Sequence, residues 1–235
     1  MKINILSIFP EYFASPLATS IIKRAVEASF VEINLIDIRK FALDKHKLTD
    51  DRPFGGGPGM VMKIEPIDLA LKSLGVKKQT AQVKTANSKA ETAILKTEVA
   101  DSKIILTSAK GKLFNQGFAK KLSKLEELTI ICGHYEGVDE RVAEYLIDDE
   151  VRIGDYVLTG GEPAALVISD AIIRLLPEVL GNEASNKNES HSTPGKLGFP
   201  QYTRPQTYNN WEVPEVLLTG DHKKIEEWRQ GKTTT

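Results

Sequence analysis

A chain of 235 residues with 41% hydrophobic and 27% charged residues has the make-up of a soluble globular protein. It is long enough to bury a proper core in one large domain and to carry a small appendage. A formal net charge of −1 excludes a protein that holds nucleic acid by a global positive field. A single cysteine, Cys132, excludes an intrachain disulfide and suits a reducing, cytoplasmic setting, and no apolar run is long enough to span a bilayer.

The opening, Met1 to Pro10, is too short in its apolar part and lacks a small-residue cleavage site, so residues 3–9 read as a first strand and not as a leader. Ser15-Pro16 opens a helix predicted over 17–28, as a cap followed by proline at the first helical position. A second buried strand follows at 31–38. The basic group Lys45-His46-Lys47 with Arg52 reads as a solvated face. Phe54-Gly55-Gly56-Gly57-Pro58-Gly59-Met60 has the glycines of a phosphate cradle, but no Lys-Ser or Lys-Thr follows, which excludes a P-loop. It reads as a loop that lies against a partner backbone. A helix is predicted over 67–74, closed by Gly75 as its C-terminal cap.

Residues 77–102 are polar and lysine-rich and read as an exposed, partly mobile connector. Strands at 103–107, 128–132 and 151–158 then alternate with helices at 114–125, 138–146 and 164–176, the last stopped by Pro177. Strands alternating with helices predict an α/β fold, a mostly parallel sheet with helices on both faces. Residues 181–203 lack hydrophobic periodicity and read as a linker. It leads to a small module at 204–235, whose helix at 223–229 carries the second basic group, Lys223-Lys224 with Arg229 and Lys232. The domain boundaries read from the sequence are therefore 1–180, 181–203 and 204–235.

Two stretches carry the chemistry: Ile130-Ile-Cys-Gly-His-Tyr-Glu-Gly-Val-Asp-Glu-Arg141 and Arg152-Ile-Gly-Asp-Tyr-Val-Leu-Thr-Gly-Gly-Glu162. Each runs from an aliphatic strand straight into glycines and polar residues. In an open α/β sheet that transition marks the carboxyl end of a strand, where ligands sit. Glycine there lets main-chain groups approach a ligand with no Cβ between them. Cys132 and His134 share a side in an extended strand, but the apolar run feeding Cys132 reads as a buried, inert thiol. Four scattered histidines without zinc-type spacing predict no metal site, and the lack of a Gly-x-Gly-x-x-Gly after any strand disfavours a dinucleotide site. Arg174, in the apolar helix end Ala171-Ile-Ile-Arg-Leu-Leu176, either meets a partner or ligand or snorkels to the surface.

The blocks Asp50-Asp-Arg-Pro-Phe-Gly-Gly-Gly-Pro-Gly-Met60, Cys132 to Arg141, Ile153 to Glu162, Val179-Leu-Gly-Asn182 and Gln201-Tyr-Thr-Arg-Pro205 together resemble the bacterial tRNA (guanine-N1)-methyltransferases that modify guanosine 37 beside the anticodon. The resemblance runs through nearly the whole chain. It implies a SPOUT-type fold with a deep trefoil knot, an exception to unthreaded topology, together with bent S-adenosylmethionine as methyl donor, tRNA as substrate and an obligate homodimer. It also suggests a role for Mg²⁺. Carried over, the donor-binding residues are Ser108, Gly111, Gly133, Tyr135, Glu136, Ile153, Gly154, Asp155, Tyr156, Val157, Leu158, Gly160 and Gly161. The catalytic pair is Glu189, as base toward guanine N1, and Arg174, donating to guanine O6. Asp51, Arg52 and Ser185 would touch tRNA, and the linker would cross to the partner's pocket.

The chain departs from the family pattern in several places. Glu189 replaces an aspartate, Ala109 replaces a proline, Pro163 stands one place early, and Gly198 falls where an acidic residue is usual. The glutamate keeps a base with about 1.5 Å of extra reach. A short C-terminal module implies a reduced grip on tRNA. Beside this resemblance three rivals stay open: a knotted methyltransferase for another RNA position, an RNA-binding homologue that has lost catalysis and, more distantly, a thiol hydrolase built on Cys132.

Overall fold

A computed structural model describes residues 1–79, 101–181 and 189–233. They divide into two compact units, Met1–Leu180 and Gly181–Thr235. Most of the predicted connector and Ser185 lie outside the described residues.

The larger unit is built on a five-stranded sheet in the order β2-β1-β6-β5-β7, with every pairing parallel. Its strands are β1 (Lys2–Ser7), β2 (Glu32–Asp37), β5 (Ser102–Leu113), β6 (Glu127–Cys132) and β7 (Asp149–Arg152). Short helices α1 (Ala14–Leu17) and α2 (Ser20–Glu27) join β1 to β2. A two-stranded hairpin, β3 (Asp50–Asp51) with β4 (Val61–Met62), precedes α3 (Ile64–Leu74), while α4 (Gln116–Leu122) and α5 (Glu162–Ile173) complete the unit.

Side-chain alternation along the buried strands makes two cores. Ile3, Ile5, Leu128, Ile130, Cys132 and Ile105 face one layer with Ile22, Ala25, Ala119, Leu122, Ile168 and Ile172 of α2, α4 and α5. Leu6, Ile104, Leu106 and Ile131 face the other, against Ile67, Ala70 and Leu71 of α3. The α/β class and the helix-covered parallel sheet are those read from the sequence.

Four elements differ from their predicted form. The helix read over 17–28 breaks between α1 and α2, where Thr19 is extended (φ −126°) and Ser20 is left-handed (φ 53°). Ser15-Pro16 therefore lies inside α1 and does not cap a longer helix. The segment 138–146 forms a single π-helical turn, Val142–Leu146. Strand β5 continues past residue 107, and its register shifts so that Thr107 and Lys112 both align with Val151. The chain between them leaves the sheet and returns. Strand β7 ends at Arg152, so the apolar residues Val157 and Leu158, 84% and 41% exposed, belong to a loop. Hydrophobic pattern cannot separate side chains facing a cavity from those facing a core, which is why 151–158 reads as strand. The C-cap at Gly75 is as expected, with φ 71° in the left-handed region that glycine enters without a Cβ penalty.

In the smaller unit β8 (Thr207–Tyr208) and β9 (Trp211–Glu212) pair through Asn209 and Asn210, with φ 50° and 64°. Two consecutive positive φ values suit a tight hairpin, and asparagine tolerates them. Helix α6 (His222–Lys232) begins at Asp221, whose carboxylate accepts from the backbone N–H groups of Lys223 and Lys224. Trp228 meets Tyr202 at 6.2 Å between ring centroids, and Arg229 lies over Phe199. Among the described residues no helix is long and apolar enough to cross a membrane.

Two stability predictions follow from the sheet. Ile130 is fully buried at the sheet centre, so Ile130→Ala should lower unfolding free energy by about 2–5 kcal/mol in urea denaturation. Asp149 on β7 is gripped by Lys103 and Lys112 of β5, each at 2.5 Å. Burial pushes its carboxyl up, but the two lysines outweigh this and hold it below the ordinary 3.8. A depressed folded-state value stabilises above the unfolded value and is lost as pH falls through the folded one. The gap in melting temperature between the native chain and Asp149→Asn should thus be widest near neutrality. It should close as pH drops below about 4.

Candidate active site

A cavity of about 440 Å³ opens at the carboxyl ends of β5, β6 and β7, within the size range of small-molecule sites. Most of its wall comes from three chain segments, 106–110, where β5 makes its excursion, 133–138 after β6, and 150–161, Asp155 excepted, at and beyond β7. Leu106, Val138, Ile153, Leu158 and Ala164 give apolar surface, while Thr107, Ser108, Lys110 and Glu136 add polar groups at the lining.

The segments are pinned to one another by main chain. Gly161 N–H donates to the Gly133 carbonyl at 2.7 Å, and His134 and Gly160 form an antiparallel bridge. Thr107 Oγ1 donates to the Ile131 carbonyl and accepts from Gly133 N–H, both at 3.2 Å. A Cβ at Gly161 would collide with Thr107 Oγ1 and lie 2.8 Å from Gly133 N and 3.0 Å from Cys132 Cα. Glycine is required there by space, since that φ is open to any residue.

Eleven of the thirteen expected donor-binding residues line this one cavity: Ser108, Gly133, Tyr135, Glu136, Ile153, Gly154, Tyr156, Val157, Leu158, Gly160 and Gly161. Two do not. Gly111 sits behind the wall, packed on Glu150 and Val151, with its carbonyl accepting from the Arg152 guanidinium at 2.5 Å. Asp155 points to solvent and pairs with Arg152 at 2.8 Å.

Tyr135 holds φ 60°, a strained conformation for a bulky side chain and one that concentrates at functional sites. Its phenol is pushed up by burial and by the Asp50 carboxylate, with Arg39 opposing. Cys132 is fully buried. Burial and then the Glu162 carboxylate push its thiol well above the ordinary 9.0, which disfavours the thiolate. Lys110 pairs with Glu140 at 2.5 Å at the cavity edge, and that hydrogen bond raises its ammonium above the usual range against a little desolvation.

The glycine-rich loop docks beside the same site. Glu136 N–H donates to the Met60 carbonyl at 3.0 Å, and Met62 N–H to the Gly137 carbonyl at 2.9 Å. Asp51 and Arg52 are exposed at the base of that loop. Arg174 is half-buried at the carboxyl end of α5. Glu189 belongs to the smaller unit and is half-buried, its carbonyl accepting from Ser192 N–H at 3.1 Å. Among the described residues no three His, Cys, Asp or Glu side chains gather as metal ligands.

Sequence reasoning left Thr107, His134 and Glu162 without a role. The last two lie inside the quoted motifs, but nothing in their spacing tells that both turn inward. The close packing predicts that Gly161→Ala destabilises by about 1–3 kcal/mol through overpacking. Gly231→Ala in α6, where an added Cβ meets nothing within 4 Å, should stabilise by about 0.5–1 kcal/mol. Thermal melts of the two variants should therefore move in opposite directions.

Comparison with known proteins identifies the family. The family model described as tRNA (guanine-1)-methyltransferase TrmD matches residues 1–235. A tRNA (guanine-N(1)-)-methyltransferase of Fusobacterium nucleatum is 53% identical over 229 residues, covering 97% of this chain and 84% of that protein. Proteins of the same name from Carboxydothermus hydrogenoformans and Endomicrobium trichonymphae are 50% and 47% identical, over 98% and 97% of the chain and 81% and 92% of their own lengths. The chain belongs to the tRNA (guanine-1)-methyltransferase family.

Proposed function

We propose that this tRNA guanine-N1 methyltransferase acts on guanine 37, beside the anticodon, with S-adenosylmethionine as donor. The observation that carries the reading is the family match from residue 1 to 235. It is supported by a cavity whose walls include Gly133, Gly154, Gly160 and Gly161 and whose apolar side chains suit the two faces of an adenine.

Ser108, Gly133, Tyr135, Glu136, Ile153, Gly154, Tyr156, Val157, Leu158 and Gly160-Gly161 would hold the donor in a bent form, while Gly111 and Asp155 stand back from the cavity. When bound, the donor supplies an electrophilic methyl on a sulfonium, so the chemistry demanded of the protein lies at the acceptor. Guanine N1 carries a weakly acidic proton that must leave for the methyl to settle there. Glu189 takes that proton. Its carboxylate, ordinarily near pKa about 4.3, becomes a better base as it is desolvated. Arg174 donates to guanine O6, where negative charge collects as N1–H departs. Proton removal and charge stabilisation thus act on one conjugated system from two sides.

Asp51, Arg52, Ser185 and the basic face of α6 contact the tRNA, reading splayed bases more than helix grooves. With so little net charge, few phosphates are neutralised and binding should depend only modestly on salt. The same reading carries a deep trefoil knot formed by the segments that wall the cavity. It also carries a homodimer in which the 181–203 linker of one protomer completes the pocket of its partner.

Labelled donor and unmodified tRNA bearing G36-G37 test this directly, and label should appear at N1 of guanine 37 alone. Glu189→Gln should abolish transfer while donor affinity stays at the native level, and Glu189→Asp should retain activity. Turnover of the glutamine variant at the native rate would remove Glu189 as base. Arg174→Ala should lower kcat about a hundredfold or more.

A further inference from the structure

Glu162 is 3% exposed and does not line the cavity, yet it sits directly behind it. Ser7 Oγ, at the carboxyl end of β1, donates to Glu162 Oε1 at 2.7 Å. Ser7 Oγ in turn accepts from Phe9 N–H at 2.8 Å. The other carboxylate oxygen lies 3.9 Å from His134 Nε2, and a Cβ built on Gly160 would come within 2.5 Å of it. The His134 ring is wedged edge-on against Phe9 and Tyr135, each at 5.2 Å. One buried side chain thus touches the end of β1, the loop after β6 and the turn into α5.

A buried carboxylate is an expensive way to begin a helix. A surface serine or aspartate would cap α5 without the desolvation penalty that a buried charge carries. The favourable field of the first turn offsets only part of that penalty. What the carboxylate adds is geometry, because its two oxygens set the distance between Ser7 on one side and His134 with Gly160 on the other. His134, Gly160 and Gly161 are cavity wall, so that distance sets where this wall stands relative to the end of β1.

We propose that Glu162 is a positioning residue of the methyl donor site, holding the His134 and Gly160 walls in register through its bond to Ser7. The inference rests on the reading of the cavity as the donor site. It assigns Glu162 no contact with donor or nucleobase. Its effect passes through His134 and Gly160, and falls on donor affinity before it falls on turnover.

The test is calorimetric titration of S-adenosylmethionine into the full-length protein and its variants, paired with donor-dependent kinetics on tRNA. Glu162→Ala should weaken donor binding about tenfold or more. Glu162→Gln keeps an acceptor for Ser7 and should recover much of that loss, leaving about a threefold weakening. Ser7→Ala, remote from the cavity, should weaken binding by a similar threefold. In each variant the KM for donor should rise by a larger factor than kcat falls. If Glu162→Ala does not fold, the glutamine and Ser7→Ala variants decide the matter. Native donor affinity in both, with or without a lowered melting temperature, would leave Glu162 a structural residue and overturn the proposal. So would a fall in kcat at unchanged KM. Failure of the unaltered protein to bind S-adenosylmethionine would instead overturn the donor reading, and this inference with it.

Discussion

The hydrogen bond from Gly161 N–H to the Gly133 carbonyl, made where no Cβ fits, is the constraint on which the rest of the site depends. It draws the loop leaving β7 against the loop leaving β6, and Thr107 closes the third side by bonding both Ile131 and Gly133. Strand ends in a parallel sheet usually fan apart and leave room for side-chain contacts between loops. Here the backbones touch. The result is a cavity whose walls are tied to one another by main-chain hydrogen bonds.

Further contacts brace the far side of the wall. Gly111 packs against the β7 backbone behind the cavity and Arg152 clamps its carbonyl. The side chains of Glu162 and His134 fill the space beneath Gly160, and Ser7 holds Glu162 from the other side. The β3–β4 hairpin is bonded to residues 136–139 by main chain, so the glycine-rich loop and the cavity share a foundation. A site of this kind suits a chemistry in which the donor is intrinsically reactive. Protein groups are then free to work on the acceptor, where a proton must leave and a charge must be held.

Much of this was legible from residue types. Alternating apolar runs such as Ile3-Asn4-Ile5 and Leu128 to Ile131 specify buried strands whichever fold they enter, because side chains alternate across any sheet. Gly75 marks a helix end for local reasons, whereas α5 stops at Ile173, short of the end expected before Pro177. The glycine-rich strand termini at Gly133 and at Gly160-Gly161 point to main-chain contact, and eleven of the thirteen expected donor residues do share one cavity. Elsewhere the local signal misled. Val157 and Leu158 look like strand residues because apolar side chains facing a cavity carry the same pattern as those facing a core. Ser15-Pro16 looks like a cap, yet the helix it should open is broken by the left-handed Ser20.

From the sequence alone came the α/β class, the buried cysteine and the two glycine-bearing segments that wall the cavity, since each is a property of neighbouring residues and their periodicity. Only the tertiary structure decided that β5 leaves the sheet and rejoins it, that Gly111 and Asp155 stand outside the cavity, and that Glu162 turns inward to meet Ser7. Those outcomes depend on pairs such as Ser7 and Glu162, 155 residues apart, or Gly111 and Val151. Contacts across such separations are set by how the layers close on one another, and no local spacing encodes them.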